Sequence, residues 1–439
     1  MHRKLTFLWF VLGLGSRLQV ISSLSITELI VLAAAPILFL RNYSMMKHDG
    51  IVPLFFSSIL VILGCVIASV MNHTPFQFVV RGLAVTCIVS CSIVFAHWLI
   101  RRDPNGFKWY ILALPFSAIL STFVFKAAVE TTMYGESAEE IMSGPLFWVS
   151  RLGPLVLAPT KGWYLQTPWF INATVPIFVA GLAVLTSVSG RAAALTALAF
   201  TAMVIIGGKT QRTISRISSH FGLLCFCGII LVLGIYSAYK VSASQGLLGE
   251  DARKKYETQT HGGEGGIGRL LLGGRGESFI GLLACRDKPI IGWGPWAKDE
   301  NGYAEEFINK YGTWEDVEEM VRLNMWRAKF GAVVRMLPCH SYLTEFWAWY
   351  GLFGLVFWLY VMYVLLRYLK QDVAAVPQWY AWLACTIPGL FWDIFFSPLS
   401  DRVGVSLFVV ACLMARAVRK GRFQLPPEMI HEIGRVERM

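Results

Sequence analysis

The stretch from Ile51 to Met71, with the sequence IVPLFFSSILVILGCVIASVM, decides the class of this protein. It has no charged residue, and it is as long as the roughly 20-residue helix that crosses about 30 Å of hydrocarbon. Similar apolar runs lie on both sides of it. Of the 439 residues, 55% are hydrophobic and 15% are charged, whereas soluble proteins carry about 25% charged residues. The sequence therefore predicts an all-α, polytopic transmembrane helical bundle, and it excludes a secreted enzyme, a nucleic-acid-binding domain and a β-barrel.

The basic loops predict how the bundle crosses the membrane, because short connections rich in Lys and Arg stay in the cytoplasm. With the eleven clear apolar runs alone, the Lys209–Arg216 loop and the basic tail would be exported. A further crossing at 142–160 corrects this, although it contains Arg151 and two prolines. We expect about twelve helices with both termini in the cytoplasm. The expected spans are 5–21, 25–40, 51–71, 77–100, 108–127, 142–160, 169–187, 190–208, 219–238, 342–366, 376–396 and 402–418.

One long polar segment divides the chain into four regions. They are an N-terminal transmembrane bundle of about nine helices at 1–238, a large periplasmic loop at 239–341, C-terminal transmembrane helices at 342–418 and a basic cytoplasmic tail at 419–439. Between Lys240 and Arg335 the loop has 14 basic and 14 acidic residues, so it is neutral. The net charge of +11 therefore comes from short loops and tails, where it indicates topology rather than a nucleic-acid partner.

The loop itself is expected to be mostly helical, since an unstructured connection longer than about 15 residues is uncommon. The pattern predicts an amphipathic helix at Glu277–Lys288, turns at Pro289–Pro295 and an acidic helix at Trp314–Arg327. The acids Asp299 and Glu300 are expected on a solvated helix face.

Two of the nine cysteines, Cys285 and Cys339, lie in this loop. The other seven lie in apolar runs, where cysteine behaves as a small hydrophobic residue. No CxxC spacing occurs, so we expect no metal site. The sequence leaves open whether Cys285 and Cys339 form a disulfide.

Three nitrogen-bearing side chains are expected at the outer face of the membrane. Arg191 lies at the outer end of a helix, Arg275 opens the loop helix, and His340 lies where the loop re-enters the membrane. Taken singly, they are interpreted as an interfacial anchor, a solvated charge and a helix cap. Together they favour another function, because two guanidinium groups suit a diphosphate and an imidazole suits a general base for a hydroxyl nucleophile. The combination indicates a site that transfers a glycosyl group from a lipid diphosphate.

Three motifs follow one another around the long loop. They are Leu185-Thr186 with Ser189-Gly190-Arg191, then Arg275 and Phe279 with Pro289-Ile290-Ile291-Gly292-Trp293-Gly294, then His340-Ser341-Tyr342-Leu343 with Gly351 and Gly354. In this order and spacing, the segment from about 181 to 366 resembles the O-antigen ligase and O-antigen polymerase superfamily of bacterial membrane glycosyltransferases. Four departures from the family pattern are present: Gly and Arg are transposed in the first motif, Phe279 replaces tryptophan, Ser341 replaces asparagine, and Trp349 stands where glutamate is frequent.

The resemblance implies a metal-independent, inverting transfer of a glycan from undecaprenyl diphosphate to a lipid A-core or other lipid-anchored saccharide acceptor. The reaction would take place at the periplasmic face of the bacterial inner membrane, without a cofactor and without nucleic acid, with membrane lipid as a further partner. His340 would activate the acceptor hydroxyl, while Arg191 and Arg275 would hold the diphosphate. In agreement, the first outer turn, Ser22-Ser23-Leu24-Ser25, has no acidic residue of the kind that metal-using relatives place there.

Arg81 is a further candidate ligand of the diphosphate, because a charge within a membrane span is usually functional or paired. We expect it either to neutralise the lipid phosphate or to pair with Glu28 or Asp393.

Trp293, Trp296 and Ser341 are candidate substrate-binding residues. The two tryptophans lie in a turn rich in Gly and Pro, where they are expected either to stack on sugar rings or to belong to the interfacial aromatic belt. For the neighbouring aromatic residues Trp347, Trp349 and Tyr350, the belt is the preferred interpretation.

Three other functions stay open. A polymerase of the same superfamily, acting on O antigen or an exopolysaccharide, needs the same donor site and base. A transporter or flippase predicts binding sites near the bilayer midplane and often an internal repeat, and the sequence has no such repeat. A membrane scaffold without chemistry predicts that loss of His340 is silent.

Overall fold

The computed structural model is predominantly helical. It describes residues 2–16, 18–21, 24–107, 109, 110, 113, 116, 117, 237, 240–247, 253, 256, 257, 276–311, 337, 339, 341–372, 375–397, 402–427 and 429. The spans predicted at 142–160, 169–187 and 190–208, and the helix predicted at Trp314–Arg327, lie outside these residues. For the described part of the chain the all-α prediction is confirmed, since its strands amount to one short hairpin.

The N-terminal region is a helix, a hairpin and a second helix. Helix α1 is His2–Gly15, and the antiparallel strands β1, Gln19–Ile21, and β2, Leu24–Ser25, follow it. The predicted span 5–21 is therefore wrong at its end, because Gly15 is a poor helix former and Val20 and Ile21 favour a strand.

Helix α2, Ile26–Asp49, begins with a capping box. The Glu28 backbone N–H donates to the Ser25 hydroxyl, and the Ser25 N–H donates to the Glu28 carboxylate at 2.8 Å. The helix runs nine residues past the predicted end at 40. Arg41 and Lys47 do not end it, because their side chains are exposed and no charge has to be buried.

The next helices follow the prediction closely. Helix α3 is Val52–Met71 and helix α4 is Phe76–Arg102. In the polar segment, the predicted amphipathic helix is confirmed as α5, Gly276–Asp287, and the predicted turns follow it. Helix α6, Tyr303–Tyr311, was not expected.

The span predicted at 342–366 is interrupted. Helix α7, Tyr342–Tyr350, ends at Gly351, and helix α8, Leu352–Arg367, begins directly after it and continues as a π-helical turn, Tyr368–Asp372. Gly351 has φ 63° and ψ −145°, a conformation that only glycine adopts without strain. Hydropathy does not register this break, because both halves are apolar.

Two further helices complete the described fold. Helix α9 is Pro377–Phe396 and helix α10 is Arg402–Arg419, close to the predicted 376–396 and 402–418. By length and composition, α2, α3, α4 and α8 with its π-helical turn are suited to cross a membrane. These apolar helices are consistent with a membrane protein.

Helix α4 lies at the centre of the described bundle, where it packs against α2, α3 and α10. Two buried groups of ion pairs join the helices of this bundle to one another. At one end, Arg402 Nη1 donates to Glu28 Oε1 at 2.8 Å, which joins the starts of α10 and α2. At the other end, the Asp49 carboxylate accepts from Arg101 and, at 2.9 Å, from His97 Nε2.

Candidate functional site

The chain enters helix α7 through Ser341, the residue that follows the predicted base His340. Ser341 is the N-cap of α7: its hydroxyl accepts from the Thr344 N–H at 3.1 Å and donates to the Ile394 carbonyl at 2.8 Å. Its side chain is fully buried. The hydroxyl that the sequence predicts to contact substrate is thus engaged within the protein, where it fixes the chain next to His340.

The segment Pro289–Trp296, which we call the docking loop, is bound to the break between α7 and α8. The Trp293 N–H donates to the Ala348 carbonyl at 2.7 Å, and the Gly294 N–H donates to the Trp349 carbonyl at 3.0 Å. In return, the Leu352 N–H donates to the Ile290 carbonyl at 2.9 Å. The last carbonyls of α7, which have no partner within the helix, are satisfied in this way. The second sequence motif is therefore in direct backbone contact with the chain around Gly351 of the third motif.

The docking loop also contacts the turn between α3 and α4. Asn72 is the centre of this contact, because its side-chain amide donates to the Gly292 carbonyl at 3.0 Å and its carbonyl accepts from Lys288 Nζ at 2.5 Å. Gly82 of α4 leaves room for the ring of Pro295, which a β-carbon there would strike. Neither Asn72 nor Lys288 was identified from the sequence, since no motif pairs residues that lie 216 positions apart.

Trp293 and Trp296 are both half-buried and packed within the protein. Trp293 donates its indole N–H to the Ala284 carbonyl at 2.9 Å, and Lys288 Nζ lies 3.8 Å from the centre of its ring. Trp296 stacks on Trp349 with their ring centroids 4.6 Å apart. These contacts hold both indoles rigidly in the docking loop and leave part of each exposed.

The aromatic-belt interpretation is wrong for two of the neighbouring residues. Tyr350 is fully buried and Trp349 is 7% exposed, so neither is available to the membrane interface. Trp347 is partly exposed and donates its indole N–H to the Pro289 carbonyl at 3.0 Å. The sequence pattern missed this distinction because all three residues lie in one apolar run.

Arg81 lies on α4 directly before Gly82, the residue against which Pro295 packs. Its side chain is exposed, and the described residues include no ion-pair partner for it. The alternative pairing with Glu28 is wrong, because Glu28 binds Arg402. Arg81 is thus a cation at the docking-loop end of the bundle. Arg191, Arg275 and His340 lie outside the described residues.

The polar segment is further braced by carboxylates. Asp299 is 7% exposed and caps α6, since Oδ1 accepts from the Tyr303 N–H at 2.7 Å and Oδ2 accepts from the Ala304 N–H at 2.9 Å. The Tyr303 hydroxyl donates to Asp287 at 2.7 Å, which ties α6 to α5. The expectation of a solvated face is therefore wrong for Asp299, because its carboxylate binds backbone N–H groups that have no partner within α6 at the start of the helix.

No protein-family model, curated protein or solved structure matches this chain. The docking loop, the end of α7 and the first turns of α4 meet at one end of the described bundle.

Cys285 and Cys339 are free thiols, both buried beside the first turn of α7. Burial raises the pKa of Cys285 to about 12 and the pKa of Cys339 well above its ordinary value. Because only the thiolate is reactive, and each pKa unit changes its fraction tenfold, we expect native Cys285 to react with iodoacetamide at neutral pH about a thousandfold more slowly than an ordinary thiol.

The measurement is mass-spectrometric mapping of alkylation over time, before and after unfolding. The variant Leu282→Cys is a matched control, since residue 282 lies on the same helix and is 38% exposed. Rapid alkylation of Cys285 in the folded protein, at the rate of the control, would contradict the buried position.

The helix break at Gly351 supplies another prediction. In Gly351→Ala the new β-carbon would meet the Ile290 carbonyl and adopt a strained conformation, so we expect the free energy of unfolding to fall by at least about 1–3 kcal/mol. The docking loop should detach and become sensitive to protease between 289 and 296. Gly389→Ala is the control, because a β-carbon at this helical position meets nothing within 4 Å. Equal proteolysis and thermal stability for both variants would show that the loop does not depend on the break.

Proposed function

We propose that the chain is an integral inner-membrane glycosyltransferase of the O-antigen ligase type. It moves a preassembled glycan from undecaprenyl diphosphate to a lipid-anchored saccharide acceptor such as lipid A-core. The observation that carries the proposal is the backbone contact between the docking loop and the break after α7. It brings together two motifs that are about 50 residues apart, and both belong to the set on which the resemblance to the superfamily rests.

In this proposal the chain has about twelve helices with both termini in the cytoplasm, and the docking loop lies at the periplasmic surface. The charge distribution supports this orientation, since the opposite ends of α4, α8 and α10 carry Arg101, Arg102, Arg367, Arg416 and Arg419. Arg81, at the docking-loop end of α4, is the exposed cation available to a lipid diphosphate entering from the outer leaflet.

The reaction is an inverting displacement at the anomeric carbon. His340 takes the proton of the acceptor hydroxyl as its oxygen bonds to that carbon, and the bond from the carbon to the diphosphate oxygen breaks. Arg191 and Arg275, with Arg81, hold the departing diphosphate and stabilise the charge that develops on it. Ser341 acts by positioning, because its two hydrogen bonds fix the backbone after His340, and the exposed parts of Trp293 and Trp296 offer stacking surface to a sugar ring.

The test uses the purified protein in detergent with a glycan-loaded undecaprenyl diphosphate donor, an acceptor saccharide and excess chelator. We expect release of undecaprenyl diphosphate together with an acceptor that carries the whole glycan. Release that requires an added metal ion would contradict the metal-independent mechanism. The absence of release at any metal concentration would favour a transporter, flippase or scaffold.

The length of the product separates the ligase from the polymerase of the same superfamily. A ligase transfers the glycan in one piece to the acceptor, whereas a polymerase extends the glycan on the carrier lipid and leaves the acceptor unmodified. Electrophoresis of the acceptor and of the lipid fraction from the same reaction distinguishes the two.

A further inference from the structure

Six cations meet at the end of the bundle that lies opposite the docking loop. Helix α8 has 16 residues and rises about 24 Å from the break at Gly351, so its C-terminal end lies across the described bundle from that loop. The ends of α8 and α10 form what we call the basic cluster, which consists of Arg367, Lys370, Arg416, Arg419, Lys420 and Arg422.

The same two segments contain a single carboxylate, Asp372, which cannot neutralise the cluster. Asp372 is buried and lies with Oδ1 2.5 Å from Arg419 Nε. Arg422 donates to the His48 carbonyl at 3.5 Å, and the described residues include no carboxylate partner for Lys370, Lys420 or Arg422. These three side chains are exposed. An excess of positive charge is therefore presented at the surface.

The cations of the cluster lie close enough to repel one another. The pKa of Lys420 is lowered, chiefly by the positive charge of Arg416 and to a lesser extent by desolvation and by the charges of Arg422, Arg367 and Arg419. An anion bound among these side chains would relieve the repulsion, and guanidinium and ammonium groups are the usual ligands of phosphate.

An apolar stripe on α8 leads to the cluster. Its members are exposed and recur every three or four residues along one face: Leu352, Val356, Leu359, Tyr363 and Leu366. Arg367 follows the stripe and donates to the Tyr363 hydroxyl at 2.7 Å. On a membrane helix such a stripe faces acyl chains, and Arg or Lys at its end reaches toward the headgroups.

We propose that the basic cluster binds the phosphate headgroup of an anionic phospholipid whose acyl chains lie along the α8 stripe. This lipid is distinct from the glycan donor, because it occupies the membrane surface opposite the docking loop. Its negative charge satisfies the cations that Asp372 leaves unpaired, so it should hold the ends of α8 and α10 together.

The test titrates the purified full-length protein in neutral detergent with phosphatidylglycerol, phosphatidylcholine or inorganic phosphate and follows lipid retention by native mass spectrometry. We expect the wild type to retain phosphatidylglycerol in preference to phosphatidylcholine. The triple variant Lys370→Gln, Lys420→Gln, Arg422→Gln should bind phosphatidylglycerol roughly a hundredfold more weakly, because each basic residue near anionic lipid contributes about 1 kcal/mol.

The control variant Arg286→Gln, Lys298→Gln, Lys310→Gln removes the same charge from exposed residues of the polar segment and should bind like the wild type. Equal retention of the two lipids by the wild type, or unchanged binding by the cluster variant, would overturn the proposal. Displacement of phosphatidylglycerol by millimolar inorganic phosphate would also overturn it, since the site would then bind soluble anions. If the cluster variant does not fold, the wild type in high salt decides: loss of phosphatidylglycerol supports the proposal and full retention opposes it.

Discussion

Replacement of His340 with alanine is expected to lower the rate of undecaprenyl diphosphate release by a factor of about 10²–10⁴, the usual contribution of a general base. The acceptor hydroxyl is a weak nucleophile until its proton is removed, and in the proposed site His340 is the group that removes it. The affinity for the donor should change little, because the diphosphate is held by arginines. Single-turnover release and donor binding, measured separately, give the two quantities.

The matched control for this substitution is His73→Asn. His73 is an exposed histidine in the turn between α3 and α4, at the same end of the bundle, and Asn tolerates its φ of 50°. We expect its release rate to equal that of the wild type. If His340→Ala and the wild type release the carrier equally fast while both proteins are folded, His340 is not the base. This result would favour the interpretation as a membrane scaffold, for which loss of His340 is silent.

The second large effect is expected at Asp49, where Asp49→Asn should lower the free energy of unfolding by about 3–5 kcal/mol. The Asp49 and His97 side chains are both inaccessible to solvent, and Asp49 accepts from His97, from Arg101 and, at 3.2 Å, from His48 Nδ1. An amide keeps the shape but loses the charge, so the partly buried Arg101 guanidinium is left without a counter-ion. Thermal and denaturant unfolding in detergent, followed by intrinsic tryptophan fluorescence, measures the loss.

Glu257→Gln is a suitable control, because it breaks an ion pair between two solvent-exposed side chains four residues apart. Arg253 Nε lies 3.1 Å from Glu257 Oε1, and about half of each side chain is exposed. Exposed pairs of this spacing contribute about 0.3–0.5 kcal/mol, so the control should unfold almost like the wild type. A loss at Asp49 no larger than this would mean that solvent reaches the buried cluster.

Much of the described fold follows from hydropathy and from the residues that mark helix ends. The uncharged run 51–71, the prolines near the starts of α3 and α9, and the basic ends of α4 and α10 each mark helix boundaries to within a few residues. The errors have physical causes. Gly351 interrupts a continuous apolar run through its backbone conformation, and Gln19–Ile21 leaves the predicted span to form a hairpin, so neither change alters the hydropathy that the prediction used.

Residue types and their spacing predict the candidate site. The structure adds backbone hydrogen bonds and contacts between distant parts of the chain, which spacing does not reveal. The docking loop is held by backbone groups of Ile290, Trp293 and Gly294, whose side chains do not reveal these hydrogen bonds. Asn72 joins the loop to the end of α3 across 220 positions of the chain, which no local pattern indicates. The proposed roles of Arg191, Arg275 and His340 stay predictions of the sequence.

The contact of Asn72 with Gly292 also fixes an order of biosynthesis, because its partners are 220 residues apart in the chain. Helices α3 and α4 leave the ribosome long before the docking loop exists, and Leu352, whose N–H donates to Ile290 of that loop, is synthesised later still. Until the docking loop is synthesised, the side chain of Asn72 lacks its partner Gly292. The end of the bundle that carries the docking loop is therefore completed late, and a nascent chain truncated before residue 352 should insert α3 and α4 normally yet lack the hydrogen bond from Leu352 that holds the docking loop.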